Sequence, residues 1–320
     1  MRTALSALVL VVVCPLWVAA QNLPAMRGPW LGMLFDPGSG SLRPLRGLPG
    51  AATLGPALAL PAPLDRVRAA QRGGFALGLN RADGAVVEVT AFGTRKLAGV
   101  APSPDEIVFS PSGTRAALYY SAAGTVQVLS GFPSAPARSA SLDFSMLPGA
   151  LAALAVSDDG LVLAACSTGA DSAVVYAAAR MRPAAPVFTA RSVAALGFLG
   201  ASRDALMADA SAGLIYRLRD ASAVIVAGAG EGVSRPIALA STEDGRRAVI
   251  VNSGGAPLVV LDLTGGPART VACSCHTALA EPLAGNAVFR LTAPGASRLW
   301  LLDAERAEPR LFFVPQAELQ

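Results

Sequence analysis

The chain has 320 residues, 53% of them apolar and only 15% charged, with 26 basic against 22 acidic side chains. That balance excludes a disordered chain, which needs low hydrophobicity and high charge. The basic residues are scattered, with no run beyond pairs such as Arg246-Arg247, which excludes the concentrated basic face of a nucleic-acid-binding protein.

The N-terminus carries the first legible element. Met1-Arg2-Thr3 is positively charged, Ala4 to Val13 is dominated by apolar residues, and Val18-Ala19-Ala20 places small residues before Gln21. This pattern is that of a secretory signal peptide over residues 1–20, leaving residues 21–320 as a single mature domain. The alternative of an uncleaved anchor is disfavoured: Ala4 to Ala20 is shorter than the roughly 20 residues a spanning helix needs, and Pro15 interrupts it. Cys14 follows Val11-Val12-Val13 and lacks the setting of a lipoprotein cysteine. No later stretch is long and apolar enough to span a bilayer. The expectation is an exported monomer, periplasmic or extracellular, without a membrane span. Cys166, Cys273 and Cys275 remain after cleavage, an odd count in an oxidising compartment.

Beyond the leader, LGMLFD-PGSG-SLRPLRG (31–47) reads as two strands about a tight turn, followed by the Pro-rich connector GPALALPAPLD (55–65). From there a pattern repeats: short apolar strand, glycine turn, apolar strand, second turn, third strand. It runs VRAAQ-RGG-FALGLN-RADG-AVVEV from Val67, EIVFS-PSGT-RAALYY-SAAG-TVQVLS from Glu106, and LAALAVS-DDG-LVLAAC-STGAD-SAVVYAA from Leu151. It continues as VAALGFL-GASRD-ALMAD-ASAG-LIYRL from Val193, IALAS-TEDGR-RAVIVN-SGGA-PLVVLDL from Ile237, and LAEPL-AGN-AVFRLT-APGAS-RLWLLD from Leu279. The first-turn glycines Gly74, Gly113, Gly160, Gly245 and Gly285 space the copies by 39, 47, 85 (two units) and 40 residues. Outer strands RKLAGV (95–100), PVFTA (186–190), AVIVAG (223–228), ARTVAC (268–273) and RLFFVP (310–315) fit the intervals. Four short strands per repeat of this period predict an all-β fold, a β-propeller of four-stranded antiparallel blades. Six full repeats occupy 65–315. Residues 31–62 are either an incomplete first blade, its strands resembling a third and fourth, or an edge hairpin and connector. Seven blades are preferred to six plus a hairpin, since open blade edges need covering.

The turns S-P-S-G-T-R (110–115), S-D-D-G (157–160) and S-T-E-D-G-R (241–246) resemble the S-P-D-G-K/R turn of bacterial WD-like and YVTN-type propellers. L-W-L-L-D (299–303) and V-V-L-D-L (259–263) are similar to that superfamily's third strand. The resemblance implies an exported bacterial propeller and is nearly silent on activity. The recurring Gly-His and Trp-Asp of true WD repeats are missing, with one His in the chain and Trp300 the one Trp inside the repeats.

Candidate chemistry is sparse. C-S-C-H (273–276) holds two cysteines and the sole histidine. Its spacing is wrong for covalent haem, and it supplies too few ligands for structural zinc or type-I copper. A Cys273–Cys275 disulfide is favoured over two buried thiols because export favours oxidation, although an extended i, i+2 pair stands about 6–7 Å apart, at the limit for a bridge. The segment falls at a crossover between blades that looks short and in need of a staple. Asp158-Asp159-Gly160 and Glu243-Asp244-Gly245 lack the alternating oxygen ligands of a calcium loop and read as turns. Gly228-Ala229-Gly230-Glu231-Gly232 joins two strands and does not feed a helix, as a phosphate loop must. No metal, cofactor or catalytic residue is assigned. The expected function is a non-catalytic binding or assembly module that meets a protein or small ligand at one face; whether any catalysis occurs is left open. The alternative is a lactonase- or lyase-type propeller enzyme working through carboxylates at the central channel.

Overall fold

The structure, a computed structural model, describes residues 29–70, 74–275, 277–292 and 298–315; the predicted leader and His276 fall outside them. These residues form seven antiparallel sheets arranged as the blades of a ring. Six are four-stranded meanders in which strand order along the sheet follows order in the chain. Their first, innermost strands are Leu64–Ala69, Glu106–Phe109, Ala150–Val156, Val193–Phe198, Pro236–Ser241 and Glu281–Pro282. The protein is a seven-bladed β-propeller.

Burial follows position within the blade. Second strands such as Phe75–Asn80 and Arg247–Asn252 are buried almost throughout. Each blade is sandwiched between two others, so both faces of these strands must be apolar, and they read as continuous hydrophobic runs. The outer strand Ala137–Asp143 is mostly exposed and polar, and the sequence reading assigned no strand there. Its solvated faces carry little apolar signal, and its pairing with Thr125–Ser130 alone defines it.

Seven apolar clusters fill the seven gaps between neighbouring blades. The gap between the second and third holds Phe75, Phe109 and Phe132, with Phe75 stacked on Phe132 at 5.0 Å and edge-on to Phe109 at 5.5 Å. Such aromatic pairs add about 0.5–1.5 kcal/mol beyond the area they bury. The ring closes where Leu31, Leu34 and Leu45 of the first blade pack on Val288, Leu299 and Leu301 of the seventh.

The first blade comprises β1 (Trp30–Asp36), β2 (Ser41–Arg46) and β3 (Thr53–Leu54). Its place in the ring is fixed by packing. Leu31, Leu34 and Leu45 share a cluster with Val288, Leu299 and Leu301 of the seventh blade's second and third strands, and Met33 and Leu42 share one with Ala76, Val87 and Val89 of the second blade's second and third strands. β1 and β2 are therefore a second and third strand, correcting their reading as a third and fourth, and β3 is the outer one. Among the described residues no strand takes this blade's inner place.

Candidate binding site in the central channel

The predicted turn residues Gly74, Gly113, Gly160, Gly245 and Gly285 each lie between a first and a second strand, with φ between 64° and 105°. Those turns also tie blades together. Asp158 accepts from Ser112 N–H at 3.1 Å and, through its carbonyl, from Arg115 Nε at 2.6 Å. Asp159 accepts from Arg203 Nε at 2.6 Å, and Asp244 N–H donates to Asn286 Oδ1 at 3.1 Å. Burial pushes the Asp159 carboxyl up, but hydrogen bonds from Ser157 and Arg203 outweigh it and hold it below the ordinary value. The acids at Asp158, Asp159 and Asp244 thus serve as fasteners between turns.

Cys273 and Cys275 lie on the crossover from the sixth blade to the seventh, with their sulfurs within bonding distance and their Cα atoms 5.0 Å apart. The segment is bent well inside an extended i, i+2 spacing, and Cys275 N–H points at Cys273 Sγ at 3.3 Å. The expected shortness of this crossover is not observed. It runs from 272 to 280, the same length as 97–105, whereas the shortest crossover is Arg191-Ser192. Strand Arg269–Val271 ends two residues earlier than its apolar pattern suggested, leaving the cysteines in the loop. Neither cysteine lines the channel. Cys166 is buried, and desolvation pushes its thiol up.

The inner strands surround a central cavity of about 270 Å³. One part of its wall is apolar, contributed by Leu154, Val156, Leu196, Phe198 and Leu239. The other is charged. Aligned by register, the third to sixth blades place Val108, Ala155, Gly197 and Ala240 at one inner-strand level, paired with Ala117, Leu163, Leu206 and Val249 on the second strand. The second blade instead has Arg68 opposite Leu77, and the seventh has Glu281 opposite Arg290. Glu281 and Arg290 stand on the side of the seventh blade turned to the first, whereas Arg68, opposite Leu77, is on the face turned to the third blade.

Arg68 Nη2 pairs with Glu106 Oε1 of the third blade at 3.1 Å, with both side chains partly exposed. Arg290 Nη2 pairs with Glu281 Oε2. Arg290 is only 8% exposed, and its Nε and Nη1 have no hydrogen-bond partner. Sequence reading missed Arg68, Glu281 and Arg290. The signal was present as a charged residue inside VRAAQ, LAEPL and AVFRLT, where sister repeats are aliphatic, but level within the ring is needed to see it.

Chemically, both channel carboxylates carry an arginine partner, and Thr242 Oγ1 is bonded to Asp244 Oδ1 at 2.6 Å. Ser241 Oγ donates to Phe198 O at 3.1 Å. Among the described residues no three His, Cys, Asp or Glu side chains converge as a metal site. A second groove of about 580 Å³ is lined by the exposed side chains Arg180, Arg182 and Arg203 and by partly buried residues such as Arg115 and Leu161.

No protein-family model and no curated protein sequence matches the chain. Solved structures do match. A candidate 6-phosphogluconolactonase from Bacteroides uniformis ATCC 8492 is similar over 90% of this chain and 96% of its own, with TM-score 0.59 and 13% identity. A streptogramin B lyase is similar over 78% and 85%, with TM-score 0.55 and 12% identity. Kluyveromyces lactis Hsv2 is similar over 91% and 99%, with TM-score 0.56 and 9% identity. At these identities the likeness is one of fold, and fold hosts many functions.

Proposed function

We propose that the chain is an exported, non-catalytic binding module whose ligand-meeting part is the central channel. The observation that carries this reading is the ion pairing of the channel acids. A general base must be free to take a proton, whereas Glu106 and Glu281 each hold an arginine. The apolar wall beside a few convergent polar groups is the make-up of a recognition pocket. Export rests on the N-terminal pattern of residues 1–20. Fractionation of the producing cell, with N-terminal sequencing of the mature chain, is expected to find it outside the cytoplasm and starting at Gln21. Affinity capture from an envelope extract is expected to recover a defined partner or ligand; a clean lactone hydrolysis or lyase turnover by the purified protein would falsify the reading.

The second reading, a lactonase- or lyase-type enzyme, is favoured by the position of Glu106 and Glu281 in the channel wall. Two structural neighbours described as enzymes of those types give it a class of substrate to assay. It predicts turnover that is abolished by Glu281→Gln.

A further inference from the structure

Two depressions flank the fourth blade on the face that carries its first-to-second and third-to-fourth turns, and neither shares a lining residue with the channel. One, of about 580 Å³, lies toward the third blade; the other, of about 270 Å³, lies toward the fifth. Leu161 and Ala179 belong to the walls of both. These residues continue the Val162–Ala178 pair at the ends of the blade's second and third strands. They form a saddle between the turn around Asp159 and the hairpin tip at Arg180-Met181. The two depressions are therefore the arms of one groove that crosses the blade.

The arms differ in chemistry. Toward the fifth blade the wall is apolar, with Leu163, Ala177, Ala185, Val187 and Leu218, and one acid, Asp220, borders it from an exposed turn. This recess has a cause in the sequence. Opposite Leu163 the third strand carries Ala177, where the equivalent places in five other blades hold Glu88, Val128, Arg217, Val260 and Leu301. Ala185 stands next to Ala177 on the outer strand. Two alanines leave a space that a close-packed interior would fill. Toward the third blade the arm is basic, with Arg115, Arg180, Arg182 and Arg203 against Asp159. Arg203 already holds Asp159, and Arg115 Nε donates to Asp158 O. Arg180 and Arg182 are exposed, and among the described residues neither guanidinium has a hydrogen bond or ion pair. Arg182 borders both arms.

Guanidinium groups without partners take phosphate-type oxyanions through their forked N–H donors. An apolar recess takes hydrocarbon that would otherwise stand in water. Joined across the saddle, the two arms complement one class of molecule, with charge at one end and a chain at the other. We propose that this groove binds a single-chain amphiphile with a phosphate-type head, the head on Arg180 and Arg182 and the chain over Leu161 and Ala179 against Leu163, Ala177 and Leu218. The site is separate from the channel and does not depend on what the channel binds.

The full chain is titrated by calorimetry, below micelle formation, with decyl phosphate, decyl glucoside and ethyl phosphate. The glucoside keeps the chain without the charge, and ethyl phosphate keeps the charge without the long chain. Decyl phosphate is expected to bind about tenfold or more tightly than either. Arg180→Ala combined with Arg182→Ala changes two exposed side chains that bond nothing, and is expected to fold and to lose the preference over decyl glucoside. Ala177→Leu fills the recess with the residue the seventh blade already carries at this level, Leu301, and is expected to lose the preference over ethyl phosphate. Ala185→Leu, on the exposed outer strand, fills the same recess from its open side and is the variant used if Ala177→Leu does not fold. No binding of decyl phosphate, no gain over decyl glucoside or ethyl phosphate, or preferences that survive in these variants overturn the proposal.

Discussion

Asp204 shows how a single residue is held by the fold and what that does to its acidity. Its carboxylate accepts from Arg217 Nε at 2.7 Å and from Arg219 Nε at 2.8 Å and Nη2 at 2.7 Å. The Arg219 hydrogen bond leads, with burial opposing it, and the result holds Asp204 below the ordinary carboxylate value. A depressed pKa means the carboxylate stabilises the fold above its unfolded value of about 3.9 and that this contribution is lost as pH falls through the folded value. Asp204→Asn is therefore expected to cost about 2–3 kcal/mol at neutral pH, the cost of breaking a buried pair reduced by the partial exposure of both arginines. It is also expected to flatten the dependence of stability on pH below about 4; denaturant melts across that range check both. The cysteines give a second residue-scale expectation. If the Cys273–Cys275 bridge forms on export, alkylation of the non-reduced, denatured mature chain modifies Cys166 alone, and the folded chain none. Alkylated peptides containing Cys273 or Cys275 would contradict the bridge.

At the scale of elements, the first-to-second-strand turns act as both hairpin tips and clasps. Gly245, with φ 66°, stands 3.4 Å from Leu199 C, measured from where a Cβ would lie. An alanine there meets the neighbouring blade's backbone closely and must hold a left-handed conformation. Gly245→Ala is expected to cost about 1–2 kcal/mol, read as a lowered thermal midpoint. Asp158→Ala removes the acceptor of Ser112 N–H and Ser112 Oγ while leaving its own carbonyl for Arg115. Its cost is expected to stay near 1 kcal/mol, and a loss several times larger would mean the clasp does more than join two turns. These turns were legible in the sequence because positive φ selects glycine whatever surrounds it. The clasping partners were not, since Asp158 and Ser112 lie 46 residues apart.

For the whole molecule, the decisive interface is the closure between the first and seventh blades. It contains Leu34, Leu299 and the fully buried Leu301, together with the bond from Ala284 N–H to Leu31 O at 2.8 Å. Leu301→Ala is expected to cost about 2–5 kcal/mol, as buried leucine truncations do. The repeats stack around a closed ring, so opening one gap exposes two faces at once. Unfolding of this variant by circular dichroism and by the fluorescence of Trp30 and Trp300 should therefore remain a single shared transition. Two separated transitions would show that the blades at the closure fold independently of the rest.

The sequence by itself determined the blade. Strand and turn follow from local rules: alternation or continuity of apolar residues, glycine where φ must be positive, and a period near 42 residues. Those rules act within one repeat, so six repeats and their first-turn glycines could be read directly. Which strand of a blade the N-terminal pair would be was decided only by tertiary structure, because β1 and β2 show the same local pattern in either position. The channel site was decided there too. Arg68, Glu281 and Arg290 are charges scattered over three strands, up to 222 residues apart in the chain from Arg68 to Arg290. Only closure of the ring brings them to the lining of one channel.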